Sequence, residues 1–215
     1  MSRTSNLPGR FITVEGQDGA GKTTNLDVIE EIVRKAGYRV VRTREPGGTP
    51  LGDEIRRLVL HRQDLEIDAM AELLLIFAAR AQHLAQVIRP ALEAGAWVVC
   101  DRFTDATYAY QGGGRGVDMN AIAELERRVQ DGLQPDLTLL FDVDAPTGAR
   151  RANGRGSPDR FESEAESFRE RVRDVYLSRA RAEPERVRVV DASRDLEQVV
   201  NDVEEIMKGF IGSAG

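Results

Sequence analysis

The sequence is poor in the residues on which metal, redox and nucleophilic chemistry most often depend. Its 215 residues include one cysteine, Cys100, and two histidines, His61 and His83. A single cysteine excludes an internal disulfide, and this composition excludes a metal site built from clustered cysteines and histidines. We expect Cys100, which follows two valines, to be buried in a protein of a reducing compartment. Both histidines are expected on helix surfaces.

Long apolar runs and an excess of positive charge are also absent. The polar segment 1–10 has no signal-peptide core, and no apolar run approaches membrane-spanning length. These features predict a cytoplasmic protein with no membrane partner. The formal net charge of -6 argues against general nucleic-acid binding, for which a basic surface is expected. Any arginines that cluster locally therefore stand out.

The most specific motif lies near the N-terminus, between a β-branched segment at 11–14 and a helical pattern at 24–36. It matches the phosphate-binding loop G-x-x-x-x-G-K-[ST], and strand, glycine-rich turn and helix are the context that this loop requires. Lys22 is predicted to reach the outer phosphates of a nucleotide, and Thr23 to offer its hydroxyl to Mg²⁺. The residues predicted to bind the nucleotide are Gly16, Gln17, Asp18, Gly19, Ala20, Gly21, Lys22 and Thr23.

Strand and helix patterns then alternate to the end of the chain. Further strands are predicted at 39–43, 96–101, 137–142 and 187–191, and helices at 51–60, 68–90, 120–132, 168–183 and 196–210. The alternation predicts an α/β fold, a five-stranded parallel sheet with helices on both faces, in one domain spanning 1–215. Asp68 is the predicted cap of the long helix, which Pro90 should kink or end. The glycine run 112–116 is expected to form a flexible loop. Strand order stays open.

Three further features carry charge. Asp101 ends an apolar strand, where a carboxylate can hold Mg²⁺ or cap a helix, and Arg102 follows it. Phe77 and Arg80 are three residues apart in the long helix, and spacing alone favours a core phenylalanine and a solvated arginine. Four arginines between 150 and 160 are interrupted by glycines. They form either a solvated face or a flexible lid over polyphosphate, at about 148–162.

Together these features indicate phosphoryl transfer from a nucleoside triphosphate. A phosphate monoester acceptor, with a second pKa of about 6, would already be ionised, so the lack of an obvious general base is expected. Two alternatives remain open. One is a kinase of another nucleotide or nucleoside on the same scaffold, and the other is a nucleotide-dependent switch that transfers nothing.

Several segments resemble those of bacterial thymidylate kinases, in register from about residue 11 to the final helix. The segments are 16–23 (Gly-Gln-Asp-Gly-Ala-Gly-Lys-Thr), 43–49 (Thr-Arg-Glu-Pro-Gly-Gly-Thr), 77–80 (Phe-Ala-Ala-Arg), 101–103 (Asp-Arg-Phe), 107–116 (Thr-Tyr-Ala-Tyr-Gln-Gly-Gly-Gly-Arg-Gly) and 159–162 (Asp-Arg-Phe-Glu). The resemblance implies the P-loop nucleoside monophosphate kinase fold. It also implies transfer of the γ-phosphate of ATP to dTMP with Mg²⁺, giving dTDP and ADP, in a homodimer.

The resemblance assigns nine residues to dTMP. Asp18 would bind the 3′-hydroxyl, Arg102 the acceptor phosphate, and Arg80 the carbonyl edge of thymine, with Phe77 stacked on the ring and Tyr110 crowding the 2′ position. In many members the stacking phenylalanine lies where this chain has Ile76, which leaves open whether Phe77 stacks on thymine or only borders it. The full dTMP set is Asp18, Arg44, Pro46, Phe77, Arg80, Arg102, Thr107, Tyr110 and Gln111.

The remaining implied roles concern ATP and catalysis. Some family members carry an arginine where this chain has Gly19, so the catalytic arginines are expected in the lid. The implied catalytic residues are Lys22, Arg102, Arg155 and Arg160. Arg151 and Asp191 would contact the adenine end of ATP, and Thr23 and Asp101 would hold the metal.

Overall fold

The computed structural model describes residues 9–62, 64–152 and 159–212, which form an α/β fold around one parallel sheet. The order β2-β3-β1-β4-β5 puts β1 in the centre beside β3. The loops that follow these two strands therefore lie side by side, as in other open parallel sheets whose sites form at the strands' carboxyl ends. The strands are β1 Phe11–Gly16, β2 Val40–Arg44, β3 Trp97–Asp101, β4 Leu137–Asp142 and β5 Val187–Asp191.

Helices cover both faces of the sheet. Alternate residues of β3 enter different cores: Trp97 and Val99 join a cluster with α1 and α9, whereas Val98 and Cys100 join a second one. Burial on both faces explains why the central strands are continuous apolar runs. The helices are α1 Lys22–Lys35, α2 Pro50–Arg56, α3 Ala69–His83, α4 Arg89–Glu93, α5 Thr104–Thr107, α6 Met119–Gln130, α7 Ala145–Ala152, α8 Glu166–Ala182 and α9 Leu196–Gly212. The π-helical segments are Arg57–His61, Leu84–Ile88 and Tyr108–Gly114.

The long predicted helix begins as expected but does not end at Pro90. The Asp68 carboxylate accepts from the backbone N–H groups of Met70 and Ala71 and caps α3. The helix then passes through a π-helical turn into α4, where Pro90 occupies the first turn. Proline lacks the backbone N–H that a regular helix uses at this position, and the π-helical turn lies just before it. The helix therefore continues past Pro90 to Glu93, and the kink expected at Pro90 stays a prediction.

Within the described residues, one helix is long and apolar enough to cross a membrane. It spans Ala69–Glu93, and its most apolar window of 18 residues has a mean hydropathy of 1.2, contrary to the expectation of no such stretch. Half of its apolar window is buried inside the protein. Core helices of soluble proteins meet the same length and composition criterion, so this helix is weak evidence for a membrane span.

The glycine run is not a flexible loop. Its first three glycines end the π-helical segment Tyr108–Gly114, which packs against α8. A Cβ added to Gly113 would lie 2.7 Å from Cγ2 of Val175 and 2.8 Å from the carbonyl oxygen of Arg171. Glycine is required here because two backbones approach closely, and not because the segment needs conformational freedom.

The two histidines have different environments. His61 is exposed as expected, whereas His83 is fully buried. The expectation of a surface position for His83 was wrong because α3 is enclosed by the loop that follows β2 as well as by neighbouring helices. Cys100 is buried, as predicted.

Candidate active site

The phosphate-binding loop joins β1 to α1 through glycines with positive φ, 133° at Gly16, 81° at Gly19 and 80° at Gly21. The Lys22 ammonium lies inside the loop and donates to the carbonyl oxygens of Gly16 (2.9 Å) and Gln17 (2.8 Å). A side chain at Gly19 would collide with the carbonyl oxygen of Gly148 in α7. This packing gives a local reason why the loop carries no arginine at that position.

Arg102 reaches this loop from the end of β3. Its backbone is left-handed, with φ of 68°, which is uncommon for a residue other than glycine, and its N–H donates to the Val14 carbonyl at 3.0 Å. The guanidinium donates to Asp18 Oδ1 at 2.8 Å and to the Gly16 carbonyl at 2.9 Å. It also lies 4.8 Å from the centroid of the Tyr110 ring. The left-handed backbone at Arg102 therefore places its guanidinium against both the phosphate-binding loop and the Asp18 carboxylate.

Asp18 is ionised at neutral pH. Burial alone would raise its pKa, but the charges of Arg102 and Lys22 outweigh burial and lower the pKa to about 2. The Tyr110 hydroxyl adds a longer hydrogen bond to Asp18 Oδ2, at 3.4 Å. Asp18 is thus a pure hydrogen-bond acceptor beside the phosphate-binding loop.

A first cavity extends from Asp18 toward the helices, and we call it the nucleoside cavity after the part of dTMP to which the sequence assigns several of its residues. Seven of the nine residues assigned to dTMP line it, and Arg44 and Phe77 do not. The Glu45–Pro46 peptide bond at its edge is cis. Its lining residues are Asp18, Glu45, Pro46, Arg56, Leu60, Ile76, Arg80, Arg102, Phe103, Ala106, Thr107, Tyr110, Gln111, Asp159 and Phe161.

Phe77 faces the protein core. Its ring belongs to a buried cluster with Leu73, Tyr108 and Ile122, while Ile76 lines the nucleoside cavity. Residues four apart share a helix face, so Ile76 is the neighbour that accompanies Arg80 to the cavity. The expectation that Phe77 stacks on the base does not agree with this placement.

Arg80 is buried, contrary to the solvated charge that spacing alone favoured, with only 1% of its surface exposed. Its Nε donates to Glu45 Oε2 at 2.7 Å, and Nη2 donates to Thr107 Oγ1 at 2.9 Å. Among the described residues, Nη1 has no hydrogen-bond partner although it is buried. One donor of a fixed guanidinium, in a residue that lines the cavity, is therefore left without a partner.

A buried carboxylate also holds Gln111 at the wall of the nucleoside cavity. It is 3% exposed, and its Nε2 donates to Glu72 Oε1 at 2.9 Å. The side-chain amide oxygen of Gln111 and its second N–H group remain for other partners.

A second cavity, the phosphate cavity, lies over the loop and shares Asp18, Arg56 and Arg102 with the nucleoside cavity. Asp101 Oδ1 is buried there without a hydrogen-bond partner among the described residues. A carboxylate oxygen left free beside a threonine hydroxyl fits a hard cation such as Mg²⁺. The residues that line this cavity are Asp18, Gly19, Gly21, Lys22, Thr23, Arg56, Asp101, Arg102 and Glu162.

Arg56 was not singled out by sequence reasoning, yet it lines both cavities and donates to the Pro46 carbonyl at 3.0 Å. Burial and the nearby charges of Arg44 and Arg102 lower its pKa. Positive charges crowded at one point favour an anion there. Its position at the end of the first helix after the Arg-Glu-Pro segment was the only available signal, and the adjacent Arg57 has nearly the same position in the sequence.

Arg44 lies in an adjoining, more open cavity that Thr23 and Asp101 also line. Its guanidinium donates to Asp53 at 3.3 Å and is more than half exposed. The structure thus places Arg44 toward the phosphate side of the site and away from the nucleoside cavity.

The two ends of the predicted lid have different contacts. Arg151 donates to the carbonyl oxygens of Ala192 (2.6 Å) and Ser193 (3.2 Å), beside Asp191, which accepts from Ser193. Arg160 lines neither cavity: its Nη1 lies 3.3 Å from Oε2 of the buried Glu72. Arg155 lies outside the described residues.

Comparisons with known proteins show the family to which this chain belongs. The family model described as thymidylate kinase matches residues 14–203. This chain belongs to the thymidylate kinase family. Thymidylate kinase from Pseudomonas putida (strain GB-1) is 55% identical over 205 residues, which cover 95% of this chain and 98% of the relative. Thymidylate kinase from Teredinibacter turnerae is 52% identical over 205 residues, covering 95% of this chain and all of the relative.

A solved structure of thymidylate kinase from Ehrlichia chaffeensis has the same fold. It superposes with a TM-score of 0.75 at 37% sequence identity, covering 94% of this chain and 99% of that chain. Membership of the thymidylate kinase family confirms the predicted fold class, a P-loop nucleoside monophosphate kinase fold. It also confirms the predicted enzyme class and function, a kinase that phosphorylates dTMP to dTDP with ATP as donor.

Proposed function

We propose that, in the ATP-dependent phosphorylation of dTMP, the nucleoside cavity holds dTMP and the phosphate cavity holds the triphosphate of ATP. The observation that carries this assignment is the pair Asp18 and Arg102, which lines both cavities and is joined by a 2.8 Å hydrogen bond. The phosphates of ATP and dTMP would meet at the junction of the two cavities, beside Asp18 and Arg102. Transfer there gives dTDP and ADP.

The acceptor phosphate is held by Arg102 and Arg56. Both guanidiniums lie at the junction, and guanidinium groups match phosphate oxygens in geometry and charge. The acceptor is already ionised, so the enzyme needs to orient it and neutralise charge without removing a proton. Lys22 and the loop N–H groups perform the same task for the donor phosphates.

The nucleoside is recognised by polar groups on three sides. Asp18 accepts from the sugar 3′-hydroxyl, and Tyr110 packs beside the 2′ position. Arg80 directs its Nη1 at a carbonyl oxygen of the pyrimidine, assisted by Thr107 and Gln111. Ile76 and Phe103 supply the apolar surface against the ring in place of Phe77.

The metal would be held by the Thr23 hydroxyl and the Asp101 carboxylate, whose buried Oδ1 is free among the described residues. When bound, Mg²⁺ neutralises charge on the phosphates of ATP and helps to orient them. Asp101 is the last residue of β3, so a rigid element would support this ligand.

The lid, at about 148–162 of a single domain spanning 1–215, supplies the remaining contacts. Arg151 and Asp191 frame the adenine end, as their shared neighbours Ala192 and Ser193 support. Arg155 stabilises transition-state charge. For Arg160, the ion pair with Glu72 supports an anchoring role at the end of the lid in place of the catalytic role first expected.

The protein is proposed to act as a cytoplasmic homodimer without nucleic-acid or membrane partners. The exposed apolar residues Met70 and Leu74 on α3, 43% and 51% exposed, support this helix as part of the dimer surface.

A coupled assay of ADP release with ATP and Mg²⁺ across the nucleoside monophosphates and thymidine tests the function. We expect rapid turnover on dTMP. Faster turnover on dCMP, dGMP or thymidine would favour another kinase on this scaffold. Tight ATP binding with no turnover on any acceptor would favour a nucleotide-dependent switch.

A further inference from the structure

A chain of buried polar contacts continues from Arg80 away from the nucleoside cavity. Glu45 accepts from Arg80 Nε at 2.7 Å through Oε2 and pairs with His83 Nδ1 at 3.0 Å through Oε1. His83 Nε2 in turn lies 2.6 Å from Thr43 Oγ1. Glu45, Arg80 and His83 are 3%, 1% and 0% exposed. Water cannot replace any of these partners without a change in structure.

The direction of the hydrogen bonds follows from the chemistry of the groups. A carboxylate only accepts, so His83 Nδ1 carries the proton and donates to Glu45 in either charge state of the ring. Both oxygens of Glu45 are then occupied, and the plane of the carboxylate is fixed. The carboxylate in turn fixes the Nε–H of Arg80.

The guanidinium of Arg80 is restrained by other groups as well. Thr107 accepts from Nη2 at 2.9 Å, and the ring centroids of Phe77 and Phe103 each lie 4.9 Å from the guanidinium carbon. Because the group is planar, fixing two of its nitrogens determines the direction of the third. That third nitrogen is Nη1, the buried donor left for a ligand.

His83 also fixes the loop that carries Glu45. A Cβ added to Gly48 would lie 2.6 Å from His83 Nε2 and 2.6 Å from Thr43 Oγ1. The loop backbone is therefore pressed against the imidazole ring and the threonine hydroxyl. A ring turned from its present position would disturb the loop and the carboxylate together.

We propose that His83 is a positioning residue for pyrimidine selection: it orients Glu45, which orients Nη1 of Arg80 toward a carbonyl oxygen of the base. The inference rests on the proposed assignment of Arg80 to the base edge. Thymine offers a carbonyl acceptor at the position where cytosine offers an amino donor. Loss of the His83 contact should therefore weaken dTMP binding more than dCMP binding.

Two amide variants separate the ring's two contacts. His83→Asn keeps an N–H donor near the place of Nδ1, whereas His83→Gln carries its amide to the place of Nε2 and abandons Glu45. We expect His83→Gln to raise the Kd and KM for dTMP about tenfold, the usual effect of one lost buried hydrogen bond. The ratio of kcat/KM for dTMP to that for dCMP should fall by a similar factor, with kcat and the KM for ATP nearly unchanged. His83→Asn should restore dTMP affinity to within about threefold.

The control is His61→Gln, an exposed histidine substituted in the same way, which should leave every constant unchanged. Arg80→Met separates this inference from the assignment on which it rests. An unchanged dTMP to dCMP ratio in Arg80→Met would overturn the assignment of Arg80 and the inference with it. A lowered ratio in Arg80→Met with an unchanged ratio in folded His83→Gln would overturn the inference alone.

Equal losses in His83→Asn and His83→Gln would show that the ring only fills space, and would also overturn the proposal. If His83→Gln does not fold, Thr43→Val serves instead, since it removes the partner of Nε2 at nearly constant volume. We expect about a threefold loss of dTMP to dCMP discrimination in Thr43→Val. No loss in that folded variant would contradict the inference.

Discussion

At the scale of single residues, the site depends on which of two adjacent arginines reaches the cavities. Arg56 lines both cavities and bonds to Pro46, whereas Arg57 pairs with Glu54 on an exposed face. The residue type is identical, so only the helical position differs. Sequence reasoning could not separate them, because neither spacing nor composition states which of two adjacent arginines at the end of α2 faces the cavities.

We predict that Arg56→Ala lowers kcat/KM for dTMP by about ten- to a hundredfold, as expected when a charged hydrogen bond to phosphate is removed. Steady-state kinetics with varied dTMP would measure the loss, and calorimetric titration would show whether it lies in affinity. Arg57→Ala is the matched control and should stay within about twofold. Similar losses in both variants would contradict the assignment of Arg56.

Arg155 is predicted to act mainly in the transition state. Arg155→Ala should lower kcat on the order of a hundredfold while changing the Kd of dTMP little, because a lid arginine directed at the transferring group meets charge that develops during reaction. Arg160→Ala should lower kcat less, since its guanidinium is paired with Glu72. Equal losses of kcat and of dTMP affinity in Arg155→Ala would identify a binding residue.

At the scale of elements, two segments show what sequence patterns miss. Pro90 was expected to kink or end a helix, but the helix continues past it to Glu93 after a π-helical turn. The run 112–116 was expected to be a loop, but most of it is helical and buried against α8. In both cases the intrinsic conformational preference of the proline or glycine was assessed correctly. The neighbouring element nevertheless determined the local structure.

A pair of glycine substitutions tests the packing interpretation. Gly113→Ala should destabilise the protein by about 1–3 kcal/mol, because its Cβ would overlap Val175 of α8. Gly209→Ala, in α9, should stabilise by about 0.5–1 kcal/mol, because among the described residues the added Cβ has no neighbour within 4 Å outside its own helix backbone. Urea unfolding would measure both. A stabilising effect of Gly113→Ala would mean that the segment is mobile and exposed after all.

At the scale of the whole molecule, the sequence predicted the architecture and many of the residues that line the two cavities. The five strands and the loop at 16–23 follow from local patterns, and so they could be found without tertiary information. Strand order, the buried position of His83 and the choice of Ile76 over Phe77 for the cavity wall depend on contacts between distant elements. Those contacts cannot be obtained from local spacing, which explains why these features were missed or misassigned.

Glu15 links the stability of the whole fold to pH. It is buried in the sheet, where it accepts from the Phe103 N–H at 2.7 Å and the Tyr176 hydroxyl at 2.8 Å. Burial, followed by the nearby charge of Asp105, raises its pKa from 4.5 to about 7. The folded protein therefore retains a proton that the unfolded chain releases between these two values. Its contribution to stability is complete below pH 4.5 and is lost as the pH rises through about 7.

We predict that the free energy of unfolding falls by about 2–3 kcal/mol between pH 5 and pH 8, and that Glu15→Gln abolishes most of this slope. Asp18 acts in the opposite sense, but its pKa of about 2 places its effect below pH 4, outside the window. Urea denaturation of the wild type and of Glu15→Gln at four pH values would give the pH dependence of the free energy of unfolding for each protein. A wild-type stability that rises across this window, or an equal slope in Glu15→Gln, would show that the carboxyl is already ionised in the folded protein at pH 5.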